Sequence, residues 1–130
     1  MSFNWLDFLT LSEKLQSDPE IFGLREASLR SAISRAYYAA FQYAMNLAKL
    51  EGYLPKHTGD DHIAVQKFFR DYTPKNYSRR KIAVELDRLR DQRRLADYEE
   101  NLHRDANIPA QIAISLAKNV IANVDSLQHN

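Results

Sequence analysis

Residues 29–41 read LRSAISRAYYAAF and lie inside a stretch, Ala27 to Glu51, that contains no glycine or proline. Apolar residues recur along this stretch with the period of an α-helix. They form one stripe, which consists of Ile33, Ala40, Ala44 and Leu47. Gly52 follows directly, and glycine is common just past the end of a helix. The stretch therefore predicts a long helix from about Ala27 to Glu51.

The remaining sequence predicts four further helices, because apolar residues keep the helical period between the prolines and glycines. Their expected spans are about 4–16 with Asn4 as N-cap, 61–71, 77–102, and 107–127 with Asn107 as N-cap. No stretch alternates with the two-residue period of a strand. Five amphipathic helices with short links favour an all-α, antiparallel bundle, which we expect to form one domain over residues 1–130.

Composition excludes several classes of protein. The 130-residue chain has no cysteine, which excludes disulfides, thiolate metal sites and cysteine nucleophiles. Its N-terminus lacks the basic and apolar regions of a signal peptide, and its longest apolar run, 36–41, is far shorter than the roughly 20 residues of a membrane span. We expect a soluble, cytoplasmic protein without a membrane partner. The net charge of +1 gives no strong overall attraction for a polyanion.

Arg93 breaks the apolar pattern of the fourth helix. The stripe of that helix consists of Ile82, Leu86, Leu89 and Ala96. At about 100° per residue, Arg93 falls about 20° from Ile82, near the middle of the stripe. A guanidinium that faces a core is costly unless it is paired or binds an anion, and Asp97, one turn on, is the internal candidate. A structural Arg93–Asp97 ion pair and an anion-binding arginine both remain open.

One flank of the second helix carries polar and aromatic side chains at helical spacing. These are Arg30, Ser34, Tyr37 and Phe41, with Tyr38 just beyond them. If the second and fourth helices pack together, the hydroxyl groups reach Arg93 and Asp97 and form a polar cluster. Seven basic and three acidic residues between Arg79 and Arg94 predict either a solvated surface or a basic face that includes Arg90.

None of the four histidines has the spacing of a metal-ligand pair, so we expect no metal and no other cofactor. His57 and His62 flank a segment from Lys56 to Asp61 that is expected to be a loop. An exposed position in that loop is the simplest interpretation of His57. No phosphate-binding loop, nucleophile elbow or dinucleotide-binding glycine pattern is present.

Three segments resemble the HEPN domains of prokaryotic conflict and RNA-processing systems. The block Leu29 to Phe41, above all its part SRAYYAAF, resembles the family's long-helix signature. The segment His57 to His62, HTGDDH, is similar to the histidine-serine-glycine segment that often follows. The run Arg93 to Tyr98, RRLADY, resembles the R-x-x-A-D-Y element of one branch of the family. The resemblance extends over about residues 5–127.

This resemblance implies a helical bundle that pairs as a homodimer. In the family's nuclease members it further implies an Arg-x(4–6)-His motif that cleaves RNA without a metal. Here no histidine follows an arginine at that spacing, and Tyr98 stands five positions after Arg93. Tyrosine, with an ordinary pKa of about 10, is a poor general base at neutral pH, although it can donate a hydrogen bond or stack on a base. Binding is therefore favoured over cleavage.

Three functions remain open. The favoured one is a HEPN-like module that binds RNA or a nucleotide, or docks a partner such as a nucleotidyltransferase, in a toxin–antitoxin or defence setting. Its binding residues are expected to be Arg30, Ser34, Tyr37, Tyr38, Arg90 and Arg94. The second is a metal-independent endoribonuclease with Arg93, Asp97 and Tyr98 as catalytic residues. The third is a dimeric helical scaffold without a nucleic-acid role. Tyr38, Phe41, Tyr98 and Leu102 lie off the main stripes of their helices and suggest a second apolar surface, and we expect a two-fold dimer that buries part of it.

Overall fold

The computed structural model describes residues 2–129, which form five α-helices and no β-strand. The helices are α1 (Leu6–Ser17), α2 (Arg25–Leu50), α3 (Asp60–Arg70), α4 (Tyr77–Tyr98) and α5 (Asn107–Gln128). The prediction of an all-helical bundle is confirmed. Within residues 2–129, no helix is both long enough and apolar enough to cross a membrane.

α2 is the central helix, and it packs against each of the other four. Alanine occupies every fourth position from Ala32 to Ala48, and each of these five alanines is fully buried. Because each step of four residues turns about 40° beyond a full revolution, this row winds roughly 160° around the helix. Small side chains along the row let neighbouring helices approach α2 closely from several directions. Ile33 and Leu47, from the predicted stripe, are buried with them.

The end of α2 has the geometry expected from its glycine. Gly52 adopts a positive φ of 105°, and its N–H donates to the carbonyl of Lys49 at 3.1 Å. The N–H of Tyr53 donates to the carbonyl of Ala48 at 2.9 Å. These two hydrogen bonds form a Schellman motif, which satisfies carbonyl groups that the helix leaves free. The chain then turns into the segment that leads to α3.

α4 ends at Tyr98, so the predicted end near Leu102 was wrong. Arg30 of α2 explains the difference. Its guanidinium donates hydrogen bonds to the backbone carbonyls of Ala96, Glu99 and Glu100. These bonds replace helical partners at the end of α4, so the chain can leave the helix there. The cause was not visible locally, because Arg30 lies 66 residues before Ala96 in the chain.

α5 begins at Asn107 itself, and its N-cap is Ala106 rather than Asn107 as predicted. The side-chain oxygen of Asn107 is used elsewhere, since it accepts a hydrogen bond from Gln16 of α1 at 3.1 Å. The N–H of Asn107 donates to Asp105 Oδ1 at 3.2 Å. The residue expected to cap α5 therefore ties it to α1.

The inner face of α4 carries the predicted stripe. Its members, each at most 4 % exposed, are Ile82, Leu86, Leu89 and Ala96. Arg93 lies among them and is 9 % exposed. Arg79, near the start of the helix, is also buried, and its two terminal nitrogens donate to Glu51 at 2.8 and 2.5 Å. Arg79 therefore stabilises the fold and does not belong to an exposed basic face.

Replacing Leu89 by alanine should lower the free energy of unfolding by about 2–5 kcal/mol, because it leaves a cavity at a fully buried position. Val84→Ala is the control on the outer side of the same helix, where the side chain is 54 % exposed. It should change the free energy of unfolding by less than about 0.5 kcal/mol. Urea denaturation measures both. Equal stability of the two variants would contradict this orientation of α4.

Candidate functional site

Arg93 is a buried cation at the contact between α2 and α4. Its side chain is 10 % exposed, and its Nη1 lies 3.6 Å from Asp97 Oδ2. That separation is an ion pair but is too long for a hydrogen bond. Among residues 2–129, the buried Nε of Arg93 has no hydrogen-bond partner. The predicted pair is therefore present, yet it leaves a buried guanidinium only partly satisfied.

Asp97 is held in place by α2. Its Oδ2 accepts a hydrogen bond from the hydroxyl of Ser34 at 3.2 Å, and Arg35 Nη2 donates to the same hydroxyl oxygen at 3.4 Å. Ser34 is 4 % exposed, whereas 30 % of the Asp97 side chain is exposed. A hydroxyl group of the second helix thus lies beside the ion pair, as expected from the sequence. Asp97 orients Arg93 from a position that is partly open to solvent.

Three tyrosine rings surround the guanidinium of Arg93. Its Cζ lies 5.4 Å from the ring centroid of Tyr37, 5.7 Å from that of Tyr38 and 5.8 Å from that of Tyr98. Each distance is within the range of about 6 Å for a cation–π contact. Tyr37 is 1 % exposed, whereas Tyr98 is 77 % exposed. The ring cage is therefore closed on the side of α2 and open at Tyr98.

α3 adds a residue that the sequence analysis did not assign to the site. His62 forms a hydrogen bond through Nδ1 with the hydroxyl of Tyr37. Its ring stacks on Phe41 with a centroid distance of 4.4 Å and on Tyr37 with one of 5.5 Å. No histidine follows Arg93 at the nuclease spacing, but the fold brings one against the rings that surround Arg93. We call Arg93, Asp97, Ser34, the three tyrosines and His62 the arginine cluster.

The surroundings keep His62 neutral and Tyr37 protonated. Burial lowers the pKa of His62 below its ordinary value, and the positive charges of Arg93 and Arg90 lower it further. Burial raises the pKa of Tyr37 well above its ordinary value. The phenol and Nδ1 share one hydrogen bond, and the imidazole tautomer decides which of them donates. In the tautomer with its hydrogen on Nε2, the neutral ring offers a donor to an anion.

The remaining predicted binding residues divide into two groups. Arg90 is half-buried and Arg94 is exposed, and both lie within about 100° of Arg93 around α4. They extend the positive charge of the cluster toward solvent. Arg30, by contrast, donates to the end of α4, and its Nε lies 3.3 Å from Glu26 Oε2. Arg30 therefore belongs to the frame of the site rather than to its open side.

Two other expectations change with the structure. Phe41 is 4 % exposed beneath His62, so its assignment to a dimer face was wrong. The basic stretch from Arg79 to Arg94 is smaller than its composition suggests, because Lys81 pairs with Glu85 at 3.2 Å. The part of this stretch that lies next to the site supplies Arg90, Arg93 and Arg94, and Arg35 of α2 adds a positive charge beside Ser34.

No protein-family model, no curated protein and no solved structure matches this chain. Within residues 2–129, no group of three or more histidine, aspartate and glutamate side chains is placed to hold a metal ion. What the site offers is a partly satisfied buried arginine, an aromatic cage and a neutral histidine.

Replacing Arg90 by glutamine should raise the pKa of His62, because it removes one of the two positive charges that lower that pKa. The rise should be partial, since burial is the larger cause and Arg93 remains. NMR titration of the imidazole signals measures the change. Arg88→Gln removes an exposed charge about 160° further around α4 and should leave the titration unchanged. An unchanged His62 pKa in Arg90→Gln would show that Arg90 does not act on the cluster.

Proposed function

We propose that this chain is a HEPN-like helical module that binds single-stranded RNA at the arginine cluster. The observation that carries the proposal is the partly satisfied state of Arg93, whose buried Nε has no hydrogen-bond partner among residues 2–129. A buried donor without a partner costs about 1–3 kcal/mol, and a charged one costs more. A ligand that supplies an acceptor to this guanidinium offsets that cost.

A phosphate group is the anion that suits the cluster best. Arginine presents a planar fork of donors that pairs with phosphate through two hydrogen bonds. The contact of 3.6 Å between Arg93 and Asp97 is weak enough to leave the guanidinium available for shorter bonds. In its Nε2–H tautomer, His62 supplies a further donor that carries no positive charge of its own.

An RNA strand fits the open side of the cluster better than an isolated nucleotide. Tyr98 is 77 % exposed beside the guanidinium, and an exposed aromatic ring is a platform on which an unpaired base stacks. Arg90 and Arg94 lie on the same flank of α4 and can contact neighbouring phosphates. Single strands offer both a free base and a flexible backbone, which a duplex does not.

The resemblance to HEPN domains extends the proposal to the cellular setting. We infer a cytoplasmic protein of a toxin–antitoxin or defence system that forms a homodimer and docks a partner such as a nucleotidyltransferase. The support is that two segments carrying the resemblance, SRAYYAAF and RRLADY, contact each other through Ser34 and Asp97 and through Tyr37 and Arg93. A shared site built from the two segments would require such contacts in space.

Metal-independent RNA cleavage is the second candidate, and His62 is the observation that favours it. Arg93 would stabilise the charge that develops on the phosphate, and Asp97 would orient Arg93. However, burial and the positive charges of Arg93 and Arg90 lower the pKa of His62, and its Nδ1 is already hydrogen-bonded to Tyr37, so the imidazole is a weak base toward a 2′-hydroxyl. Binding without cleavage is therefore the function we favour.

The double change Arg93→Met with Asp97→Leu should weaken RNA binding at least about tenfold without unfolding the protein. Because both charges are removed together, no unpaired ion stays buried and the melting temperature should change little. Each single change should destabilise more, since it leaves one charge without its partner. Fluorescence anisotropy with a labelled single-stranded RNA measures affinity, at low and at moderate salt because phosphate contacts weaken as salt rises.

A stable double variant that binds RNA as tightly as the wild type would leave Arg93–Asp97 as a purely structural pair and favour the scaffold function. The same samples also test cleavage, by gel separation of RNA after incubation. We expect the RNA to stay intact with the wild-type protein. Cleavage that disappears in His62→Asn would instead establish the ribonuclease.

We expect a two-fold dimer that pairs through the outer side of α4 and α5. Leu95 is 53 % exposed and Ile112 is 39 % exposed, and the two line one surface pocket. Adjoining exposed apolar side chains in proteins often mark an interface between subunits. Sedimentation equilibrium at micromolar concentration should give twice the chain mass of 15.1 kDa, and Leu95→Glu should give the single-chain mass. A wild-type protein that sediments as a single chain there would contradict the dimer.

A further inference from the structure

A second pocket shares His62 with the arginine cluster and lies between α2 and the segment that leads into α3. Its volume is about 230 Å³. Its polar lining consists of Gln42, Lys49, His57, Thr58, Asp61 and His62. We propose that this pocket, called the His57 pocket below, binds a second phosphate group of the RNA strand. The inference rests on the function proposed above, because the two phosphates would belong to one ligand.

The segment beside the pocket is held in a fixed shape by Asp61. The carboxylate of Asp61 accepts hydrogen bonds from the N–H of Lys56 at 3.0 Å, from the N–H of His57 at 2.8 Å and from the hydroxyl of Tyr53. These bonds hold His57 at a φ of 60°, a left-handed conformation that is uncommon for residues other than glycine. Strained residues of this kind concentrate at ligand sites. The bonds also occupy the oxygens of the one acidic side chain in the lining.

The electrostatics of the shared histidine favour an anion. Both Arg93 and Arg90 lower the pKa of His62, and Asp61 raises it to a smaller extent. Lys49 adds a further positive charge from the last turn of α2. The hydroxyl of Thr58 and the amide of Gln42 can donate hydrogen bonds to an anion in the same pocket.

The size of the His57 pocket limits what it can hold. Pockets for whole small-molecule ligands measure roughly 300–1,000 Å³, so a pocket of about 230 Å³ suits a phosphate with part of its ribose. Phe41 lies in its lining and stacks on His62, which also contacts the rings around Arg93. The two sites therefore adjoin through one side chain. A strand of two or more nucleotides reaches both, whereas a mononucleotide reaches one.

The double variant Lys49→Gln with His57→Asn tests the pocket, since asparagine tolerates the left-handed conformation of His57. Its affinity for a labelled RNA oligonucleotide should fall about tenfold, and the dependence of affinity on salt should weaken by about one phosphate contact. Affinity for a uridine mononucleotide should change little, because the mononucleotide occupies the arginine cluster. Lys14→Gln is the control, because it removes an exposed charge on α1 and should leave the affinities for the oligonucleotide and the mononucleotide unchanged. Inorganic phosphate should shift the NMR signal of His57 in the wild type and shift it less in Lys49→Gln, whereas the signal of His62, which also borders the arginine cluster, should respond in both.

The two proposals fail in different ways. Two results together would overturn the pocket: an unchanged RNA affinity of the folded double variant, and a wild-type His57 signal that does not respond to phosphate. The arginine cluster would then remain the RNA site. If the histidine signals respond to phosphate while neither the wild type nor any variant binds RNA, the phosphate site stands and the proposed function fails. If the double variant loses equal affinity for the mononucleotide and for the oligonucleotide, the two-site arrangement would be overturned.

Discussion

The row of buried alanines along α2 is the constraint on which the rest of the structure depends. Because these side chains are small, four helices pack closely around α2. A larger residue in the row would force a neighbour away, and overpacking of this kind typically costs about 1–3 kcal/mol. The close approach of α4 brings Asp97 within 3.2 Å of Ser34 and lays Arg93 over the ring of Tyr37. The candidate site is therefore a consequence of helix packing.

The faces of α2 and α4 were predictable, because an apolar stripe follows from residue spacing alone. The same spacing placed Arg93 in the stripe of α4, where it is 9 % exposed. Its incomplete pairing was not predictable, since Asp97 also accepts a hydrogen bond from Ser34 on another helix. The prediction of where α4 ends failed for a related reason, because that end depends on Arg30, which is remote in sequence. The helical period of apolar residues predicts which face of a helix is buried. Tertiary hydrogen bonds decide where helices end and how buried charges are satisfied.

In α3, the position of a residue around the helix indicates its burial better than its polarity does. Ile63 is an apolar residue but is 42 % exposed. The buried positions of α3 are Asp61, Val65 and Phe69. His62 lies about 20° from Phe69 around the helix, so it also faces the bundle. The sequence placed Asp61 at the boundary between the expected loop and the expected helix, and only the three donors from the preceding segment explain the burial of its carboxylate.

The near-neutral charge of the chain limits how the proposed RNA site can work. A net charge of +1 gives little long-range attraction, and Asp97, Glu99 and Glu100 surround the end of α4. A duplex, with its dense phosphates, is repelled by these carboxylates as it approaches Arg90 and Arg94. Affinity must then come from short-range contacts, which are hydrogen bonds to a desolvated guanidinium and stacking on Tyr98. In the proposed binding mode, the acidic neighbours lower affinity for every polyanion and only a strand that stacks recovers it, so the same charges would favour unpaired RNA over a duplex.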